Sequence, residues 1–138
     1  MNRPNFSGTW EFNPPKSNLQ IQSPDSTTFI IEHNEPIFKL TRTHIFGGKS
    51  HTFSIILNTN GNKVSFQHDG IEISAKLYWN KDMLVFDSII ARDNEMATNI
   101  VKYRLADQGK TFIAEEKFSS SDKNYLNIWI FEKHVKED

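Results

Sequence analysis

The stretch FSGTWEF, residues 6–12, determines the fold that this sequence predicts. Phe6, Gly8, Trp10 and Phe12 stand at alternate positions, so a β-strand would place all four on the same face. A tryptophan so close to the start of a chain is best explained as the residue that closes one end of a hydrophobic core. Gly8 has no side chain and lets another backbone or an aromatic ring approach closely. We therefore predict that the chain begins with a strand anchored in the core.

Composition and charge exclude several functions. The chain has 138 residues, of which 37% are hydrophobic and 24% charged, and this is typical of one globular domain spanning residues 1–138. The formal net charge of −1 gives no field that would attract nucleic acid or anionic lipid, so neither partner is expected. Cysteine is absent, which excludes disulfides and thiolate catalysis. No apolar run approaches the ~20 residues that span a bilayer, so no membrane insertion is expected.

The sequence leaves localisation and oligomeric state open. No apolar core of a signal peptide follows Met1. We expect a cytoplasmic protein as the sequence is given, or a secreted or periplasmic protein if a signal peptide has been removed. A monomer and a homodimer are both compatible with the sequence.

Beyond the first strand the chain becomes a series of short strands separated by turn residues. The dipeptides Gly47-Gly48, Asn60-Gly61 and Asp69-Gly70 are typical of tight hairpins. Turn signals recur every 8–12 residues, the spacing typical of an antiparallel sandwich or barrel. The further predicted strands are residues 27–33, 37–46, 50–58, 63–67, 71–79, 83–91, 95–105, 111–118 and 125–134.

Short turns favour a barrel over a sandwich. Strands joined by such turns pair with their neighbours as a meander, and closure of the meander removes exposed edges. The first and last strands must then pair with each other, and both are strongly apolar. The predicted fold class is therefore all-β: an up-and-down antiparallel closed barrel of about ten strands with little helix.

Alternation along the strands predicts which side chains face the interior. In residues 37–46 one set of alternate positions contains Lys39 and two threonines, a natural solvent face. The opposite set, which includes Arg42 and His44, is therefore predicted to point inward. Both faces of residues 125–134 are apolar, so neither is preferred there.

The opening of the chain resembles a known group of barrels. FSGTWEFNPPKSNL, residues 6–19, is similar to the start of a bacterial lipocalin-like family, in which a Gly-Thr-Trp strand runs into an Asn-Pro-x-Lys-Ser connection. More broadly, Gly8-Thr9-Trp10 followed only by short strands resembles the calycin group of lipocalins and fatty-acid-binding proteins. The resemblance implies a lumen that holds a small apolar molecule and a role in its transport.

The chain departs from fatty-acid-binding proteins in two places. Those proteins carry two helices between their first two strands, whereas the proline-rich residues 13–26 predict an extended connection. Their last strand bears an Arg-x-Tyr carboxylate clamp before a Glu-Lys pair. Aligned on Glu132-Lys133, this chain has Trp129 and Phe131 at the clamp positions, so the usual mode of fatty-acid binding is not expected.

Two other family features are matched by single residues. In lipocalins a basic residue lies across the tryptophan that closes the barrel, and Lys133 or Lys136 would fill this role. Haem-binding barrels, the nitrobindins, also begin with Gly-x-Trp and use a histidine near the C-terminus, which His134 would match. Their glycine-rich continuation after the tryptophan is missing here, so haem is the least favoured ligand and no cofactor is predicted.

The candidate site combines an aromatic wall with a polar cluster. Arg42, His44 and His51 lie on either side of the Gly47-Gly48 hairpin and would bind a polar head group, although ordinary rim histidines are the favoured interpretation. No metal-ligand spacing and no catalytic motif is present, so neither a metal nor a catalytic residue is predicted. The predicted ligand-binding residues are Phe29, Phe38, Leu40, Arg42, His44, His51, Phe53, Ile55, Trp79 and Phe86.

Three functions remain open on the sequence alone. The first is binding of a small hydrophobic ligand in the barrel, by burial against apolar walls. The second is an isomerase or cyclase acting on a small apolar substrate, although an enzyme is the less favoured class. The third is a barrel filled by its own side chains that serves as an interaction module. The discriminating observation is whether Arg42, His44 and His51 converge on an open cavity. If they point into solvent, neither an enzyme nor head-group binding by these residues is expected.

Overall fold

Ten antiparallel strands make up the described part of the chain. The computed structural model describes residues 3–134. Within these residues the only helical elements are two 3₁₀ turns, Pro14–Lys16 and Asp107–Gly109, and no helix is long and apolar enough to cross a membrane. The strands are β1 (Gly8–Phe12), β2 (Ser26–Asn34), β3 (Ile37–Phe46), β4 (Lys49–Asn58), β5 (Val64–His68), β6 (Ile71–Asn80), β7 (Met83–Arg92), β8 (Glu95–Ala106), β9 (Thr111–Ser119) and β10 (Asn124–Lys133).

The strands form one sheet that curls into a barrel. Their order is β4-β3-β2-β1-β10-β9-β8-β7-β6-β5, so every strand pairs with its neighbours in sequence except at β4 and β5, and the first strand pairs with the last. Trp10 stands opposite Lys133 and Phe12 opposite Phe131 in that closing pair. This arrangement confirms the predicted up-and-down barrel and the pairing of its first and last strands.

The barrel is closed by side chains rather than by backbone between β4 and β5. These two strands are the ends of the sheet and do not pair with each other. The ring of Phe53 on β4 packs against Phe66 and His68 on β5, with centroids 5.8 and 5.1 Å apart. The prediction of full closure is thus met except at this one junction.

The chain start differs from the predicted strand at its first residues. Strand β1 begins at Gly8, not at Phe6, and Gly8 has φ of 145°, a conformation that side chains disfavour. Phe6 is thereby directed into the end of the barrel, where its N–H donates to His33 Nδ1 and its carbonyl accepts from Trp10 Nε1. Phe6 and Trp10 are both completely buried.

The connection between β1 and β2 contains no α-helix, as the sequence predicted. After the turn at Pro14–Lys16 it runs beside β10, where Asn18 and Ile128 exchange backbone hydrogen bonds of 2.8 and 2.9 Å. Gln20 continues this pairing, since its N–H donates to Asn127 Oδ1 and its side-chain oxygen accepts from the Leu126 N–H. The connection is therefore fixed to the barrel wall.

Aromatic side chains fill the half of the barrel that contains the chain start, here called the closed half. Phe112 lies at its centre, with ring centroids 5.7 Å from Phe6, 5.4 Å from Trp10, 5.2 Å from Tyr103 and 5.6 Å from Phe131. Burial of one such ring contributes ~1.5–3 kcal/mol. The other half, here called the cavity half, carries the β3–β4, β5–β6, β7–β8 and β9–β10 hairpins and is not filled in this way.

Candidate ligand-binding cavity

A cavity of about 260 Å³ occupies the cavity half of the barrel. Its apolar wall includes Leu40, Phe53, Ile73, Phe86 and Val101, which lie on five different strands. Period-two alternation directs these side chains inward. The cavity is therefore a property of the barrel as a whole and not of one loop.

Six of the ten predicted ligand-binding residues line this cavity. They are Phe29, Leu40, Arg42, His44, Phe53 and Phe86.

The other four predicted residues lie elsewhere. Phe38 is completely buried in the closed half, and Ile55 is buried in the core. Trp79 is also in the closed half, where its Nε1–H donates to Glu35 Oε1. His51 is exposed at the rim, opposite His44 in the β3–β4 hairpin. The structure thus brings Arg42 and His44 together in the cavity and leaves His51 outside it.

Arg42 is a half-buried cation with no carboxylate within ion-pair distance among the described residues. It sits midway along β3, and its guanidinium carbon lies 5.1 Å from the centre of the Phe53 ring. Its Nε–H is buried without a hydrogen-bond partner, and no ion pair within residues 3–134 involves it. Burial lowers the pKa of Arg42, while Tyr103 and Glu116 raise it. An arginine remains protonated under such conditions.

Glu116, on β9, is the counterpart of Arg42 in the cavity wall. Its Oε1 accepts hydrogen bonds from Asn127 Nδ2 at 3.1 Å and Trp129 Nε1 at 2.9 Å, and its Oε2 accepts one from Asn99 Nδ2 at 2.9 Å. Hydrogen bonds of this kind stabilise an ionised carboxylate. Asn99 Oδ1 is left buried without a partner among the described residues.

His44 is neutral at pH 7. Burial, then the positive charge of Arg42, then His51 lower its pKa from 6.5 to about 4. Its Nδ1 is 2.7 Å from the Thr27 hydroxyl, and its ring centre is 5.8 Å from that of Trp129. His44 therefore adds a polar group but no charge to the cavity.

Tyr103 closes the inner end of the cavity. Its ring stacks on Phe38 with centroids 6.2 Å apart. Burial raises the pKa of its phenol, an effect that Arg42 opposes and Glu116 reinforces. The phenol is therefore protonated at neutral pH and is available as a hydrogen-bonding group.

Sequence reasoning did not place Asn99, Glu116 or Tyr103 at the site. The available signal was the alternation within β8 and β9. Asn99 lies on the same face of β8 as Val101 and Tyr103. Glu116 likewise lies on the same face of β9 as Ala114. A polar residue in an otherwise apolar inward series is the pattern that would have found both.

Several other predicted features can be placed. Trp129 and Phe131, at the positions of the carboxylate clamp, point inward as aromatic side chains. Lys133 Nζ lies 5.6 Å from the centre of the Trp10 ring, while Lys136 lies outside the described residues. His134 is exposed beside Glu11 and does not line the cavity. The part of the chain from residue 3 to 134 contains no group of three or more metal-ligating side chains.

Comparison with known proteins defines the class of fold. No protein-family model matches the chain, and no curated protein sequence matches it. Solved structures do match, and the chain has the ten-stranded barrel fold of the lipocalin and fatty-acid-binding-protein class. The narrower likeness to a bacterial lipocalin-like family stays a prediction.

Three matched structures illustrate this class. Secretory abundant heat soluble protein 4 from Ramazzottius varieornatus has a TM-score of 0.68 and 14% identity, over 98% of this chain and 99% of that one. A Schistosoma mansoni fatty acid binding protein in complex with arachidonic acid has a TM-score of 0.61 and 10% identity, over 94% of this chain and 96% of that one. The zebrafish ileal bile acid-binding protein complexed with cholic acid has a TM-score of 0.60 and 14% identity, over 94% of this chain and 98% of that one.

Proposed function

We propose that this chain binds a small hydrophobic molecule in the lumen of its barrel and serves to carry or sequester it. The observation that carries this proposal is the cavity of about 260 Å³ with an apolar wall and a few buried polar groups. Such a combination is typical of small-molecule sites, in which apolar burial provides affinity and polar groups orient the ligand. The matched structures that hold arachidonic acid and cholic acid support the proposal at the level of fold.

The binding hypothesis accounts for more of the structure than the alternatives do. A barrel filled throughout by side chains would have aromatic packing in both halves, whereas here the packing fills only the closed half. An enzyme of the type considered would bring Arg42, His44 and His51 together, whereas His51 is exposed at the rim. We therefore propose ligand binding alone.

Native mass spectrometry of protein purified from its source would test the proposal directly. A reproducible mass excess over the denatured chain is expected, at or below roughly the few hundred daltons of a drug-sized ligand. In parallel, the neutral fluorescent probe N-phenyl-1-naphthylamine should bind the ligand-free protein with increased emission. Absence of both signals would contradict the proposal.

A matched pair of variants would locate the binding site. Ala114 is buried in the cavity wall, so Ala114→Phe fills part of the lumen and should weaken probe binding at least about tenfold. Ala91 follows the inward-facing Ile90 on β7, so its side chain is on the outer face of the barrel. Ala91→Phe therefore adds the same ring outside the lumen and should leave binding unchanged. Circular dichroism would establish that both variants fold. Equal binding by the two variants would place the probe elsewhere.

A further inference from the structure

The cavity contains two opposite charges that do not touch each other. Arg42 on β3 and Glu116 on β9 both line it, and they are not within ion-pair distance. We propose that the ligand is an uncharged molecule whose carbonyl oxygen accepts from Arg42 and whose adjacent N–H or O–H donates to Asn99. This inference rests on the proposed function and names the chemical class of the ligand: a neutral amide, lactam or hydroxy-ketone with an apolar chain or ring.

The donor side of the site is the guanidinium of Arg42. Its buried Nε–H has no partner within residues 3–134, and a buried donor without a partner is unfavourable. The Phe53 ring lies against the guanidinium, so the cation is held in place before any ligand arrives. A ligand oxygen would satisfy this donor.

The acceptor side is the side-chain oxygen of Asn99. The Asn99 amide group donates to the Glu116 carboxylate, and the reverse orientation would place two oxygens against each other. This bond therefore fixes Oδ1 as the atom that remains without a partner. An acceptor in this position calls for a donor on the ligand, which a carboxylate does not have.

Charge balance argues in the same direction. Arg42 contributes one positive charge and Glu116 one negative charge, while His44 is neutral at pH 7. His68, at the rim, lies 3.4 Å from the carboxylate of Asp69. The lumen is thus electrically balanced before the ligand enters. A carboxylate paired with Arg42 would leave the charge of Glu116 unbalanced in the lumen, whereas a neutral dipolar group would not.

The cavity also limits the size of the ligand. Its volume of about 260 Å³ is below the ~300–1,000 Å³ range of pockets for drug-sized ligands. The ligand is accordingly a small molecule, because the aromatic side chains of the closed half occupy the remaining interior.

A series of probes with the same ten-carbon acyl chain would test the head-group chemistry. Decanamide carries both an acceptor and a donor, methyl decanoate only acceptors, and decanoate a charge. We expect decanamide to displace N-phenyl-1-naphthylamine at pH 7 at concentrations at least about tenfold lower than either of the others. Decanoate binding as tightly as decanamide would overturn the inference and leave the proposed function intact. Failure of every compound to bind, the fluorescent probe included, would instead contradict the proposed function.

Two variants separate the charge argument from the hydrogen-bond argument. Glu116→Gln removes the negative charge and allows the Asn99 amide to turn its NH₂ towards the lumen, so decanoate should gain at least about tenfold relative to decanamide. Asn99→Ala should bring decanamide down to the affinity of methyl decanoate, because only the amide donates to Asn99 Oδ1. Circular dichroism serves as the folding control. An unchanged preference for decanamide in either variant would overturn the inference.

Discussion

The two halves of this barrel are built from the same ten strands but satisfy their interior groups differently. In the closed half, polar atoms have partners, as when His33 Nδ1 accepts from the Phe6 N–H and Glu35 accepts from Trp79. In the cavity half, Arg42 Nε and Asn99 Oδ1 are buried and have no hydrogen-bond partner among the described residues. The difference indicates that the closed half provides stability and that the cavity half gives up stability to present binding groups.

The largest expected effect is a difference in unfolding free energy between two phenylalanine substitutions, one in each half of the barrel. Phe112 is completely buried at the centre of the closed half, so Phe112→Ala should cost about 3–5 kcal/mol of unfolding free energy. Phe53 is half-buried on the cavity wall, and Phe53→Ala should cost less than about 2 kcal/mol. Urea denaturation of both variants would measure the contrast. Equal losses would show that the cavity half supports the fold as much as the closed half does.

Acid should weaken the cavity half through His44. The pKa of His44 is lowered from 6.5 in the unfolded chain to about 4 in the folded chain. Between pH 6.5 and pH 4 the unfolded chain therefore binds a proton on His44 that the folded chain does not, and stability falls as the pH drops through this range. His44→Gln should remove about 1–2 kcal/mol of this loss, after allowance for the partial exposure of the ring. Denaturation at pH 7 and pH 4.5 provides the measurement. His51→Gln, at the exposed rim, is the matched control and should change little.

The closed half should respond to acid at lower pH through Glu35. Burial raises the pKa of Glu35, but hydrogen bonds from Thr59, Trp79 and His33 outweigh burial and hold it below 4.5. The stabilisation is therefore present above pH 4.5 and is lost as the pH falls through the lower folded value. Glu35→Gln should cost up to about 1 kcal/mol at pH 7, after allowance for the exposure of the carboxylate, and progressively less as the pH falls below 4.5. A cost that does not shrink as the pH falls below 4.5 would contradict this assignment.

The smallest expected effect lies at the junction of β4 and β5. Their facing edges have no backbone pairing with each other, whereas β8 and β9 are paired along their lengths. Amide hydrogens on the facing edges should exchange at least about tenfold faster than those between β8 and β9. Exchange measured by NMR would detect this, and uniform protection around the barrel would argue against an open junction.

Local sequence signals fixed most strands but not the way in which the barrel closes. The strand at residues 37–46 has the predicted limits because Pro36 and Gly47 mark its ends. The open junction between β4 and β5 was not predicted, because pairing between strands depends on long-range geometry that a turn signal does not contain. Alternation likewise predicted the inward position of Arg42.

The polar wall opposite Arg42 needed information from several strands at once. Asn99 and Glu116 lie on neighbouring strands, and Trp129 comes from a third. Their hydrogen bonds follow from register, which the sequence specifies only through the assembled sheet. The inward face of β10 could not be chosen for the same reason, and the structure shows Asn127, Trp129 and Phe131 to be the buried set.

The contact of Phe53 with Phe66 and His68 has a mechanical consequence. Everywhere else the circumference of the barrel is set by backbone hydrogen bonds, but at this junction it is set by the thickness of aromatic rings. Separating a pair of such rings costs about 0.5–1.5 kcal/mol, beyond the area exposed, and breaks no strand pairing. The seam between β4 and β5 is therefore the part of the barrel wall that separates at the lowest cost in free energy.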